Sequence, residues 1–81
     1  MKISKQKAIQ FLNTFDEADE DGQLLKVAGG VAQILLLDSF INSLLPADED
    51  GVEEVEVRES DYIRFEKALK EYKALKGEVF E

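Results

Sequence analysis

Carboxylates are the residues of this chain whose number and spacing could do chemistry. Asp16, Glu17, Asp19, Glu20 and Asp21 fall within six residues, and Asp48, Glu49, Asp50, Glu53 and Glu54 within seven. The pentapeptide Ala-Asp-Glu-Asp-Gly occurs twice, as Ala18 to Gly22 and as Ala47 to Gly51. Acids gathered in this way can hold a cation or face a basic partner through complementary charge. They can also be solvated turns, because Asp and Gly favour turns and helix caps for purely local reasons. Acid-base catalysis asks for more, namely a pair of carboxylates in which burial shifts one pKa, and no pair is marked as desolvated by its neighbours in sequence.

The remaining chemistry is narrow. With no Cys and no His, the chain has no disulfide, no thiol nucleophile, no imidazole base and no Cys/His metal site. We therefore expect a protein that is not an enzyme and carries no cofactor. Gly29-Gly30 could offer backbone N–H groups to an anion if a helix follows, but only Lys26 is near and no strand precedes the pair. A packing or hinge role is the better reading. Tyr62 and Tyr72 share the apolar stripe of a helix, which makes both core residues with a polar tip.

The second acidic turn resembles the calcium loop of EF-hand proteins over twelve residues. Asp48 and Asp50 stand at its first and third ligand positions, Val55 at its central apolar position, and Glu59 at the twelfth, where a bidentate carboxylate closes the shell. The resemblance implies Asp48, Asp50, Glu56 and Glu59 as ligands of a cation-responsive helical module. The sequence departs from the pattern at the fifth position, Val52, and at the sixth, where Glu53 replaces the turn glycine. The first copy of the pentapeptide departs further, since Leu24 and Gly30 fall where the glycine and the closing carboxylate belong.

Ten Lys and Arg against eighteen Asp and Glu give a net charge of −8, which repels nucleic-acid backbones and anionic membranes. We expect no direct binding to either. The expected partner is a protein with a basic surface, met by Asp16, Glu17, Asp19, Glu20, Asp21, Asp48, Glu49, Asp50, Glu53 and Glu54. Such clusters can imitate the charge of a nucleic-acid backbone and occupy a partner's groove. In composition the chain is similar to small acidic inhibitors carried by phages and mobile elements, which implies an inhibitor or nucleic-acid-mimicking regulator. Met1 to Lys7 has three lysines without a following apolar run, so no signal peptide is expected and the chain is read as cytoplasmic.

These residues must be positioned by a single small domain that is mainly α. Ser4 is a plausible N-cap for a helix over about 4–16 with Ala8, Phe11, Leu12 and Phe15 on one stripe. The acidic run and Gly22 should end or fray it. The apolar segment 22–45 is stopped by Pro46. Val55 and Val57 alternate with Glu54, Glu56 and Arg58, giving a short extended element over about 53–58. Ser60 is a plausible N-cap for a helix over 60–76 with the stripe Tyr62, Phe65, Ala68, Leu69, Tyr72 and Leu75. A strand over 78–80 would lie parallel to 54–58 if the two pair.

The middle segment carries the clearest packing problem. Its apolar face in the first half becomes its polar face in the second, with Asp38, Ser39, Asn42 and Ser43. Either it breaks near Gly29-Gly30 into two helices, giving the chain four in place of three, or a partner chain covers the extra face. We expect a homodimer built on Ala28, Val31, Ala32, Leu35, Leu36, Phe40 and Leu44.

Overall fold

The computed structural model describes residues 1–78 and is mainly helical. In chain order it comprises β1 (Lys2–Ser4), α1 (Lys5–Glu20), α2 (Leu24–Ala28), α3 (Val31–Leu44), a 3-10 turn (Leu45–Asp48), β2 (Glu54–Glu56) and α4 (Glu59–Leu75).

Helix α1 starts where the cap predicts. The Ser4 hydroxyl accepts from the Lys7 N–H at 3.2 Å, which satisfies one of the free donors of the first turn. Its end differs from expectation, because the helix runs through the acidic residues to Glu20 and closes at Asp21 before Gly22 at φ 69°. Negative charge at a helix C-terminus opposes the helix dipole. Two lysines from the end of α4 offset it here, as described below.

The apolar middle segment is two helices. Gly29 ends α2 in the left-handed region at φ 88°, and Gly30 precedes α3 at φ 145°, ψ 167°. The second of these conformations is essentially restricted to glycine. Once the chain has turned there, α3 buries Leu37, Phe40, Ile41 and Leu44 at helical spacing. Phe40 and Leu44 thus belong to the core and not to an outer face, which corrects their assignment to self-association. Val31, Ala32, Leu35 and Leu36 face outward, and Ala28 is half-buried.

Strand β2 pairs antiparallel with β1, with Ile3 opposite Val55. The extended element was expected, whereas its partner at the N-terminus was not, and three residues of Lys-Ile-Ser give too short an alternation to be read as a strand. Ile3, Val55 and Val57 point into the core. Residues 79 and 80 of the expected C-terminal strand lie outside the described residues, and Glu78 has no regular structure.

Helix α4 begins at Glu59 after Arg58, one residue before the expected cap at Ser60. Phe65, Leu69 and Tyr72 of its predicted stripe are buried, while Leu75 is 65% exposed. The core centres on an aromatic chain. The rings of Phe11 and Phe40 stand edge to face at 5.5 Å, and those of Phe40 and Phe65 are 5.5 Å apart. Tyr62 extends the chain to the margin at 5.5 Å from Phe11. One ring from each of α1, α3 and α4 thereby locks the three long helices together.

Candidate functional site

The two acidic clusters sit at opposite ends of α1. Its sixteen residues separate them by about 24 Å. Each end is built differently, and that difference decides which carboxylates remain available.

At the C-terminal end of α1, α4 delivers Tyr72, Lys73 and Lys76. Lys73 Nζ donates to Glu17 Oε2 at 2.9 Å and to Glu78 Oε2 at 2.8 Å. Lys76 Nζ donates to Glu17 Oε1 and lies 3.3 Å from Asp21 Oδ2. The Tyr72 hydroxyl donates to the same Asp21 oxygen. The hydrogen bonds from Lys73 and Lys76 lower the Glu17 pKa, and those from Tyr72 and Lys76 lower that of Asp21. Burial and the Asp21 contact raise the Tyr72 phenol. Lys73 is raised mainly by Glu17 and Glu78, and Lys76 mainly by Glu17. Glu17 and Asp21 are therefore internal ties rather than free partner contacts. Asp16, Asp19 and Glu20 are exposed and take part in no ion pair among the described residues.

At the other end, Asp48, Glu49, Asp50, Glu53 and Glu54 are all exposed, and none forms an ion pair among the described residues. The loop carrying them is nonetheless pinned. The Glu49 N–H donates to the Pro46 carbonyl at 3.0 Å, the Val52 N–H to the Glu49 carbonyl at 3.4 Å, and the Lys5 N–H to the Glu53 carbonyl at 2.9 Å. Ala47 and Val55 anchor its ends in the core, Val52 is half-buried between them, and Lys5 Nζ donates to the Glu49 carbonyl at 3.4 Å. The acidic side chains are left on a fixed frame.

The four residues considered as cation ligands are not gathered. Among the described residues no group of three or more acidic side chains is placed to hold a metal ion. Beyond Gly51 the chain extends into β2 instead of curling back, so Glu59 opens α4. Glu56 accepts from the Met1 amine at 3.0 Å. The missing glycine at the sixth loop position accounts for this path.

A third polar group was legible in sequence only in its i, i+4 pair. Glu66 accepts from the Tyr62 hydroxyl at 2.8 Å and lies 3.4 Å from Lys7 Nζ and 3.6 Å from Lys70 Nζ. The Lys70 contact follows from i, i+4 spacing, but the Lys7 contact needs the packing of α4 on α1. Burial pushes the Glu66 pKa up, yet Tyr62, Lys7 and Lys70 outweigh it and the net shift is downward. Burial and Glu66 push the Tyr62 phenol up to about 12. Glu17, Asp21 and Glu66 are thus all held ionised, opposite to what a general acid requires.

No helix among the described residues is long and apolar enough to cross a membrane. Comparison with protein families, curated proteins and solved structures finds no match to this chain.

Proposed function

We propose that this chain is a non-enzymatic interaction protein whose acidic 48–54 loop engages a basic protein surface. The observation that carries this reading is five exposed carboxylates without internal counter-ions on a loop pinned at both ends and along its length. Fixed charge costs less ordering on binding than mobile charge. It also steers encounter with an oppositely charged surface. A partner that normally receives a nucleic-acid backbone offers such a surface, and occupying its groove would inhibit it. A partner touching both acidic ends must carry two basic patches about 24 Å apart. The geometry favours this reading over a calcium-responsive module, because the carboxylates diverge.

Self-association belongs to the same proposal, through the outward face of α3. Val31 and Leu35 are 68% and 65% exposed, with Ala32 between them. These residues leave a short apolar strip, bounded by Asp38 one turn further on, on a chain of net charge −8, and apolar contact there is what could draw two acidic copies together.

The test is capture of the partner from native lysate with three proteins: wild type, a variant with Asp48→Asn, Glu49→Gln, Asp50→Asn, Glu53→Gln and Glu54→Gln, and a control with Asp16→Asn, Asp19→Asn and Glu20→Gln. Capture should be lost in the first variant and weaken with salt in the wild type. Equal capture by wild type and the loop variant sinks the proposal.

A further inference from the structure

Strand β2 has one edge satisfied and one open. The Met1 and Val57 backbones exchange hydrogen bonds, at 2.8 Å from the Val57 N–H and 3.1 Å from the Met1 amine, and the Lys5 N–H meets the Glu53 carbonyl. In an antiparallel ladder such pairs alternate with pairs whose N–H and C=O groups point away from each other. The register therefore turns the backbone groups of Glu54 and Glu56 away from β1. No backbone or side-chain partner meets them among the described residues. Beside the C-terminal part of β2 runs a groove of about 500 Å³, walled by Leu36, Ser39, Phe40 and Ser43 of α3 and by Glu56, Val57, Arg58 and Asp61.

We infer that this edge takes up an extended peptide segment of alternating basic and apolar residues as a third strand, a reading that rests on the basic-partner proposal. Strand β1 shows what β2 accepts on its satisfied side: Lys2 stands opposite Glu56 and Ile3 opposite Val55. On the open side the same alternation holds, because side chains along a strand point to opposite faces in turn. A residue level with Val57 enters the groove against Leu36, which is 43% exposed. Residues level with Glu54 and Glu56 meet carboxylates, an opposite-charge cross-strand pairing that stabilises a sheet. The groove's lining carries two carboxylates, Glu56 and Asp61, and one guanidinium, Arg58. Backbone hydrogen bonds then supply affinity and the alternation supplies selectivity, as in other strand additions.

The probe is an end-blocked (Lys-Val)₃ peptide titrated into the whole chain and followed by amide chemical shifts. Its partner probe is the same peptide N-methylated on alternate residues, which keeps the charge and removes backbone donors. Shifts should concentrate at Glu54, Glu56 and Leu36, and N-methylation should weaken binding about tenfold or more, the loss of two hydrogen bonds. The variant Glu56→Pro should do the same while leaving the backbone ladder to β1 intact, since the Glu56 N–H is outside that ladder, although it removes the ion pair with the Met1 amine. Equal binding of both peptides overturns strand addition but leaves the basic-partner proposal standing. Shifts confined to the 48–50 turn, or no shifts at all, overturn it as well. Shifts at the same amides on raising protein concentration without peptide assign the edge to a second copy, and also overturn it.

Discussion

The Tyr72 hydroxyl donates to the Asp21 carboxylate across 51 positions of sequence. Tyr72 is only 1% exposed, so a core ring reaches the surface through its oxygen and ties the end of α4 to the turn after α1. Lys76 bonds to Glu17 and pairs with Asp21 as well. The acidic run of α1 is stable as helix because α4 brings cations to it.

Acid should therefore loosen this end first. The Glu17 and Asp21 carboxyls are held below their ordinary values of 4.5 and 3.8. A depressed pKa contributes stability that is full above the ordinary value and is lost as pH falls through the folded one. Urea midpoints should be flat from neutral pH to about 5 and fall below that. The double variant Glu17→Gln, Asp21→Asn should be less stable than wild type at neutral pH and show a shallower fall in acid. An unchanged acid slope in that variant would mean that the ties contribute nothing.

Alkali probes the two tyrosine contacts, Tyr72 with Asp21 and Tyr62 with Glu66. Both phenols are raised, Tyr62 to about 12, from an ordinary value of 10.0. A raised pKa contributes stability that is full below the ordinary value and is lost as pH rises through the folded one. Because the chain has two Tyr and no Trp, tyrosinate absorbance reads these two groups alone. It should stay low at pH 10 in the folded protein and rise only above it. Tyr62→Phe should leave a single transition, that of Tyr72. Half-ionisation at pH 10 with the circular dichroism unchanged would contradict both placements.

The junction of α2 and α3 gives a backbone prediction. Gly30→Ala should cost about 1–3 kcal/mol, the usual penalty for a side chain forced into a glycine-only conformation. Gly29→Ala should cost about 1–2 kcal/mol, because its left-handed conformation crowds a Cβ. Neither added Cβ meets another atom within 4 Å, so the cost is conformational. Denaturation midpoints that do not move on Gly30→Ala would show that the turn has another shape.

This junction was legible in sequence because the reason for it is local: one helix cannot bury two faces, and a glycine pair stood where the pattern changed. The Ser4 cap, the buried stripe through Ala8, Phe11 and Leu12, and the Glu66–Lys70 pair were legible on the same ground. What the sequence hid is long-range. The match of Lys2–Ser4 to Glu54–Glu56 and the ties of Glu17 to Lys73 and Lys76 depend on packing across fifty residues or more, which no window along the chain contains. The acidic residues were found, but charge spacing does not tell Glu17, bound by two lysines, from Asp16, bound by none.

Helix α3 offers a contrast between neighbours that sequence alone assigned to one surface. Phe40 is 3% exposed and packs its ring against those of Phe11 and Phe65, whereas Leu35, five residues earlier, is 65% exposed. Phe40→Ala should cost about 3–5 kcal/mol, since it removes a ring and leaves a cavity between three helices. Leu35→Ala should change the stability of dilute, monomeric protein by less than about 0.5 kcal/mol. The self-association proposal adds a second readout. Leu35→Glu places a charge in the centre of the apolar strip on both copies, and an unpaired buried charge is strongly unfavourable. Sedimentation should show wild type as a dimer at micromolar concentration and Leu35→Glu as a monomer with unchanged circular dichroism. Wild type that sediments only as a monomer removes the dimer, while the stability contrast between Phe40 and Leu35 still tests which face of α3 the core uses.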